Sequence, residues 1–171
     1  MEIRTEAYIS LGSNTENARQ ALDTALDALR ALPDVRVARV SPMYCTEPQG
    51  YKAQPWFVNR AARLDCGPRW TAVALLRAML DIETRMGRTR SADPALRFGP
   101  RCIDLDLLLF GTQVSEEPAC ILPHPRMCGR AFVLVPLRDI APQVIIRDGK
   151  GPEALLNALD YTLEDDRIAQ R

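Results

Sequence analysis

The stretch Ile103-Asp104-Leu105-Asp106-Leu107-Leu108-Leu109-Phe110 constrains this chain more than any other. It is the most apolar run in the sequence, yet it carries two carboxylates two residues apart. Read as part of a strand from Cys102 to Phe110, it sends alternate side chains to opposite faces. Asp104 and Asp106 then project together, roughly 7 Å apart at the backbone, and Ile103, Leu105, Leu107 and Leu109 point into a core. Any fold must bury one face of this strand and put the other to some use that tolerates paired acids.

The remaining pattern supplies a frame. Ala7 to Gly12 alternates as a strand. Residues 14–32 carry a helical stripe (Ala18, Leu22, Ala25, Leu26, Leu29, Leu32), with Asn14 or Thr15 as N-cap and Pro33-Asp34 as the stop. Val35 to Tyr44 reads as a strand, Cys45 to Pro55 as a polar loop and Trp56 to Asp65 as another strand. Thr71 to Met86 reads as a helix along Val73, Leu76, Leu80 and Glu83, closed by Gly87. After the acidic strand, Gly111-Thr112 turns into Gln113-Val114-Ser115 as a hairpin. A helix over 131–140, an Asp148-Gly149 turn and a short helix near 153–159 follow. The order β-α-β-β-α-β predicts an α+β fold, a ferredoxin-like βαββαβ sandwich with an extra C-terminal hairpin and helix extension. Helices are expected on one sheet face, leaving the other for a site. Residues 1–171 read as a single domain with a frayed tail over about 161–171.

Composition removes several classes. With 22 basic and 22 acidic residues the net charge is zero, against the basic surplus of a general nucleic-acid binder. No stretch has the roughly 18–20 apolar residues of a membrane span. Five scattered Cys without a C-x-x-C pair suit reduced thiols, and the polar opening Met1–Glu6 is unlike a secretory signal, so a cytoplasmic protein is expected. Walker A, G-x-S-x-G and G-x-G-x-x-G motifs are all missing from the sequence.

Four constellations remain. Paired carboxylates either face water on an open sheet or take a hard cation such as Mg²⁺. Between Arg85 and Arg101 stand five Arg (85, 88, 90, 97, 101) and one acid, Asp93. Such a loop is either a solvated basic segment or, beside a metal, the forked donors of a polyphosphate site, with Gly87 and Gly99-Pro100 as hinges of a lid. Phe57 and Asn59 share a strand face; Phe57 is either core or a stacking surface, and the Asn59 amide matches a heterocycle edge. His124, between Pro123 and Pro125, with Arg126 and Arg130 four apart, suits anion binding at a helix start. A nucleotide-binding or nucleic-acid module on the same frame is the competing class, as is a silent regulatory domain that binds nucleotide without transfer. Neither uses the acid pair for chemistry.

Four segments together resemble the 6-hydroxymethyl-7,8-dihydropterin pyrophosphokinase family of folate biosynthesis: Tyr8–Asn14, the Tyr44…Thr46…Phe57-Val58-Asn59 region, Arg97–Gly111 and Pro123–Arg126. The resemblance implies a cytoplasmic transferase that moves pyrophosphate from ATP to the hydroxymethyl group of 6-hydroxymethyl-7,8-dihydropterin and releases AMP. It implies two Mg²⁺ ions held by Asp104 and Asp106, with Arg88, Arg90 and Arg101 neutralising the transferring group. Glu83, Arg90, Arg101, His124, Arg126 and Arg130 would contact ATP. Thr46, Phe57, Asn59, Phe98 and Phe132 would contact the pterin, the rings of Phe57 and Phe132 enclosing it. ATP and the pterin are the expected partners, with no nucleic acid, no membrane and a monomeric state. Phe57 stands where Tyr is common in the family, Phe98 where Trp is, and Leu80 where a polar residue can contact ATP. The segment Ser91–Leu96 is longer than in some relatives.

Overall fold

The computed structural model describes residues 3–88 and 101–171. Among the described residues seven strands form one mixed sheet: β1 (Thr5–Ser13), β2 (Val35–Val40), β3 (Tyr44–Thr46), β4 (Phe57–Cys66), β5 (Asp104–Phe110), β6 (Tyr161–Glu164) and β7 (Arg167–Gln170). Helices α1 (Ala18–Arg30), α2 (Ala72–Arg85), α3 (Ala131–Ile140) and α4 (Pro152–Leu156) complete it. The strand path is β5-β1-β4-β3-β7-β6, with β2 also on β4; all pairs are antiparallel except β3 with β7. No helix among the described residues is long and apolar enough to cross a membrane.

The alternation of β1 explains two cores. Ala7, Ile9 and Leu11 face α1 and α2, where Leu22, Leu29, Leu75, Met79 and Ile82 bury their side chains. Tyr8 faces the other way, into a second core with Ala61, Leu109, Val133, Leu134, Leu137 and Ile168. The expectation that helices cover only one face is therefore corrected: α3 packs over the second face. Its almost wholly apolar sequence, AFVLVPLRDI, needs burial on more than one side, and the sheet on one side and α4 on another supply it.

Other elements differ from the sequence reading for identifiable reasons. Helix α1 starts at Ala18 with Asn17 at its N-cap, because Asn14 uses its side chain elsewhere; the helix ends at Arg30 rather than 32. The first strand of the Val35–Tyr44 stretch ends at Val40, and Cys45 and Thr46, expected in a loop, belong to β3. In α2 the buried stripe is Ala72, Leu75, Met79, Ile82 and Glu83, with Val73, Leu76 and Leu80 on its margin; Thr71 caps it by accepting the Ala74 N–H. Gly87 follows at φ +87°, the left-handed position that glycine adopts without strain.

Strand β5 begins at Asp104, and its inward alternation breaks at a bulge. Ile9 faces Leu107 but Tyr8 faces Leu109, so Leu108 is the extra residue. Leu109 consequently lies in the second core and Phe110 in the first, opposite to strict alternation. The expected hairpin after Gly111 is reduced to a single bridge between Ser115 and Leu122. The tail is not frayed. Residues 161–170 form the hairpin β6–β7, turned at Asp165 (φ +52°), and β7 joins β3 by placing Ile168 in the second core. Alternation around the Asp165-Asp166 turn was the available signal.

Candidate active site

Sheet register assembles the site on the second face, beyond the cover of α3. Gly12 pairs with Asp104 on one side and with Asn59 on the other; Asn59 in turn pairs with Tyr44, and Phe57 with Thr46. Paired residues share a face, so Asp104, Asp106, Asn59, Phe57 and Thr46 project from one surface. Asp104 and Asn59 lie two strand spacings apart, roughly 10 Å. Between them stands Gly12, and a Cβ there would meet Asn59 Oδ1 at 2.4 Å. The absent side chain leaves room for the Asn59 amide, whose Nδ2 donates to Thr46 Oγ1.

Two clusters of positive charge meet the acid pair. Arg88, just past the end of α2, and Arg101, just before β5, each approach Asp104 at 2.6 Å. His124 Nε2 lies 3.8 Å from Asp106 Oδ1, and Arg130 3.7 Å from Asp106 Oδ2. Burial pushes the Asp104 carboxyl upward, but Arg88 and Arg101 outweigh it and hold the group below the usual range. Asp106 ends above that range, through burial and then the charge of Asp104. Burial likewise lowers His124, against the pull of Asp106.

Supporting contacts fix these groups. The carbonyl of the bulged Leu108 accepts the His124 N–H at 2.9 Å, so the irregularity in β5 anchors the turn that carries His124. His124 Nδ1 accepts the Arg126 N–H at 3.3 Å, leaving Nε2 as the protonated nitrogen of the neutral ring, facing Asp106. Arg126 itself is exposed and acts on Asp106 and His124 through its charge. Glu83 is only 1% exposed: its Oε1 accepts the Leu105 N–H at 2.7 Å and pairs with Arg88, so it ties α2 to β5 behind Asp104. Phe132 is half-buried on the first turn of α3, its ring beneath the Arg130 guanidinium at 5.4 Å.

Asn14 escaped the sequence reading as a site residue. It is 2% exposed, and its Oδ1 accepts the Arg101 N–H at 2.8 Å while Nδ2 donates to Gln54 Oε1 (3.0 Å) and Pro55 O (3.2 Å). One amide thus joins the strand entry at Arg101 to the loop leading into Phe57. An Asn directly after a strand reads equally well as a helix cap, and only tertiary contacts separate the two roles. Arg90 and Phe98 lie outside the described residues, as does most of the expected lid. Of the other predicted residues, Arg88, Arg101, His124 and Arg130 ring the acids, Thr46, Phe57 and Asn59 lie along the neighbouring strands and Phe132 on the adjoining helix, with Arg126 exposed beyond Arg130. Glu83, expected to contact ATP, is instead buried against the Leu105 N–H and Arg88, because α2 packs that part of its face onto β5.

Comparison with known proteins finds one family and several relatives. The family model described as 7,8-dihydro-6-hydroxymethylpterin-pyrophosphokinase (HPPK) matches residues 8–142. A 2-amino-4-hydroxy-6-hydroxymethyldihydropteridine pyrophosphokinase of Pseudomonas aeruginosa is 44% identical over 154 residues, covering 90% of this chain and 91% of that protein. The enzyme of the same name from Methylorubrum extorquens is 43% identical over 152 residues, covering 88% and 92%. Among solved structures, wild-type HPPK-DHPS of Plasmodium falciparum superposes with a TM-score of 0.68 at 14% identity, over 99% of this chain; the present chain spans 50% of that one. That likeness shows a shared mixed α+β fold. The family match and the near full-length bacterial relatives go further: this chain belongs to the 7,8-dihydro-6-hydroxymethylpterin-pyrophosphokinase family.

Proposed function

We propose that the chain carries out the reaction for which its family is named, transfer of the β,γ-pyrophosphoryl group of ATP to the hydroxymethyl oxygen of 6-hydroxymethyl-7,8-dihydropterin. The hydroxymethyl oxygen bonds to the β-phosphorus and loses its proton; the bond from the β-phosphorus to the α,β-bridging oxygen breaks, and AMP leaves. The observation that carries the reading is the sheet register, which puts a cation-ringed acid pair and a ring-edge amide on one face, with only a glycine between them.

The donor set fits a hard divalent cation. Asp104 and Asp106 offer oxygen alone from one strand face, the donor chemistry that a hard cation such as Mg²⁺ takes, and phosphate and water oxygens would supply the remaining ligands. Asp104 and Asp106 would hold the two Mg²⁺ ions the family resemblance implies. Bound there, Mg²⁺ screens phosphate charge and orients the phosphoryl oxygens.

The protein groups do the rest. Arg88 and Arg101 exchange part of their pairing with Asp104 for phosphate oxygens, and their forks stabilise charge that grows as the bridging bond opens. His124, neutral and protonated on Nε2, donates to a phosphate oxygen; Arg130 and the charge of Arg126 hold the nucleotide end, and Glu83 keeps Arg88 aimed. Arg90 joins from the loop. Asn59 and the Thr46 segment bind the pterin edge, and Phe57 and Phe132, with Phe98, enclose its ring. Residues 1–171 act as one catalytic domain, a cytoplasmic monomer; the order β5-β1-β4-β2 with α1 and α2 on one face supports the ferredoxin-like description.

Incubation with ATP, Mg²⁺ and the dihydropterin tests the reading. AMP and a pterin diphosphate are expected in equal amounts. Release of ADP, or nucleotide binding without turnover, would overturn it in favour of a simple kinase or a silent binding domain.

A further inference from the structure

We propose that Gln170, near the end of β7, is a positioning residue that sets Arg130 for the reaction. The inference rests on the pyrophosphokinase reading but reaches beyond the matched region, which ends at residue 142.

Its amide joins three segments. Gln170 Oε1 accepts the Ala131 N–H at 2.9 Å and Gln49 Nε2 at 2.7 Å, and its Nε2 donates to the Gly129 carbonyl at 2.8 Å. Two of these bonds grip the backbone immediately before and immediately after Arg130. Arg130 is the N-cap residue of α3, extended at φ −123° and ψ 104°, and its own side chain makes no capping hydrogen bond. Gln170 therefore supplies from another strand the cap that Arg130 does not provide. The Arg130 side chain is thereby left for Asp106, 3.7 Å away, and for the Phe132 ring. The third bond reaches the loop between Thr46 and Phe57.

The frame holding Gln170 is rigid. Two residues earlier on the same side of β7, Ile168 is 2% exposed in the second core and pairs with Thr46; its carbonyl accepts the Glu47 N–H at 2.9 Å. The C-terminal hairpin thus references both the pterin strand and the nucleotide helix. A guanidinium at the end of a long side chain amplifies small backbone rotations, so loosening residues 129–131 lowers the population of the productive Arg130 placement. A loss of about tenfold follows if that population falls to about a tenth.

A double-mutant cycle of Gln170→Ala and Arg130→Ala, read as kcat/KM for AMP release, tests the assignment. Gln170→Ala is expected to lower kcat/KM about tenfold in the wild type and less than twofold in the Arg130→Ala background. An equal loss in both backgrounds, or no loss in the wild type, overturns the proposal. Should Gln170→Ala fold poorly, Gln170→Glu enters the same cycle; it keeps the acceptor for Ala131 but sets a carboxylate oxygen against the Gly129 carbonyl, so a loss at least as large and equally Arg130-dependent is expected. A wild type that releases no AMP sinks the underlying reading together with this one, whereas a wild type that turns over with an additive cycle sinks only the role of Gln170.

Discussion

Replacing Asn14 by Ala removes three side-chain hydrogen bonds from a position that is 2% exposed: those with the Arg101 N–H, Gln54 Oε1 and Pro55 O. At a net ~0.5–1.5 kcal/mol each, with the larger values where burial keeps water from substituting, the loss is about 2–4 kcal/mol. Because the bonds tie two loops together rather than filling a core, much of it should appear as local opening. The Arg101 amide and residues 47–56 should then exchange hydrogen faster, by up to roughly 30- to 700-fold if the whole loss is local, since each 1.4 kcal/mol is tenfold in an opening equilibrium. Urea unfolding gives the global figure and amide exchange the local one. Stability within about 0.5 kcal/mol of wild type, with Arg101 exchange unchanged, would show that water replaces these bonds at no cost.

Two further outcomes follow from packing. Gly12→Ala would set a Cβ 2.4 Å from Asn59 Oδ1, so the amide must move; the KM for the pterin should rise about tenfold with ATP affinity little changed, a loss of roughly one or two hydrogen bonds, and equal weakening of both ligands would contradict the partition of the face. Burial pushes the Cys66 thiol up to about 11, and burial also raises Cys120, while Cys45, Cys102 and Cys128 are half-buried. At pH 8 in native buffer an aromatic disulfide reagent should label only the latter group, and labelling of Cys66 before denaturation would contradict the buried environment.

Much of the fold was legible because periodicity reports burial. The stripe Leu22, Ala25, Leu26 and Leu29 and the pair Asp104 and Asp106 behave as their spacing requires. The misreadings come from features that local pattern does not encode. A bulge at Leu108 inverts everything after it in β5, and it shows only in the pairing with β1. The chain after Gly111 has hairpin chemistry but forms only one bridge. The tail is polar and carries three consecutive acids, Glu164–Asp166, so it reads as solvated although Ile168 anchors it in the second core. For the site, residue types announced themselves where charge was out of place, as in the acids within an apolar strand. Asn14 and Gln170 did not, because an amide in a turn or at a chain end has many uses, and only the three segments it joins reveal which one applies.

On the proposed function, the carboxylates of Asp104 and Asp106 capture the triphosphate through Mg²⁺ beside the Arg cluster. Calorimetric titration of a non-hydrolysable ATP analogue into wild type, Asp104→Asn and Asp106→Asn, each with Mg²⁺ and with chelator, tests it directly. Metal-dependent binding by wild type alone is expected, with all three chains folded to the same extent. Binding that is equally tight without Mg²⁺, or undiminished in both variants, would remove the metal role of the acid pair.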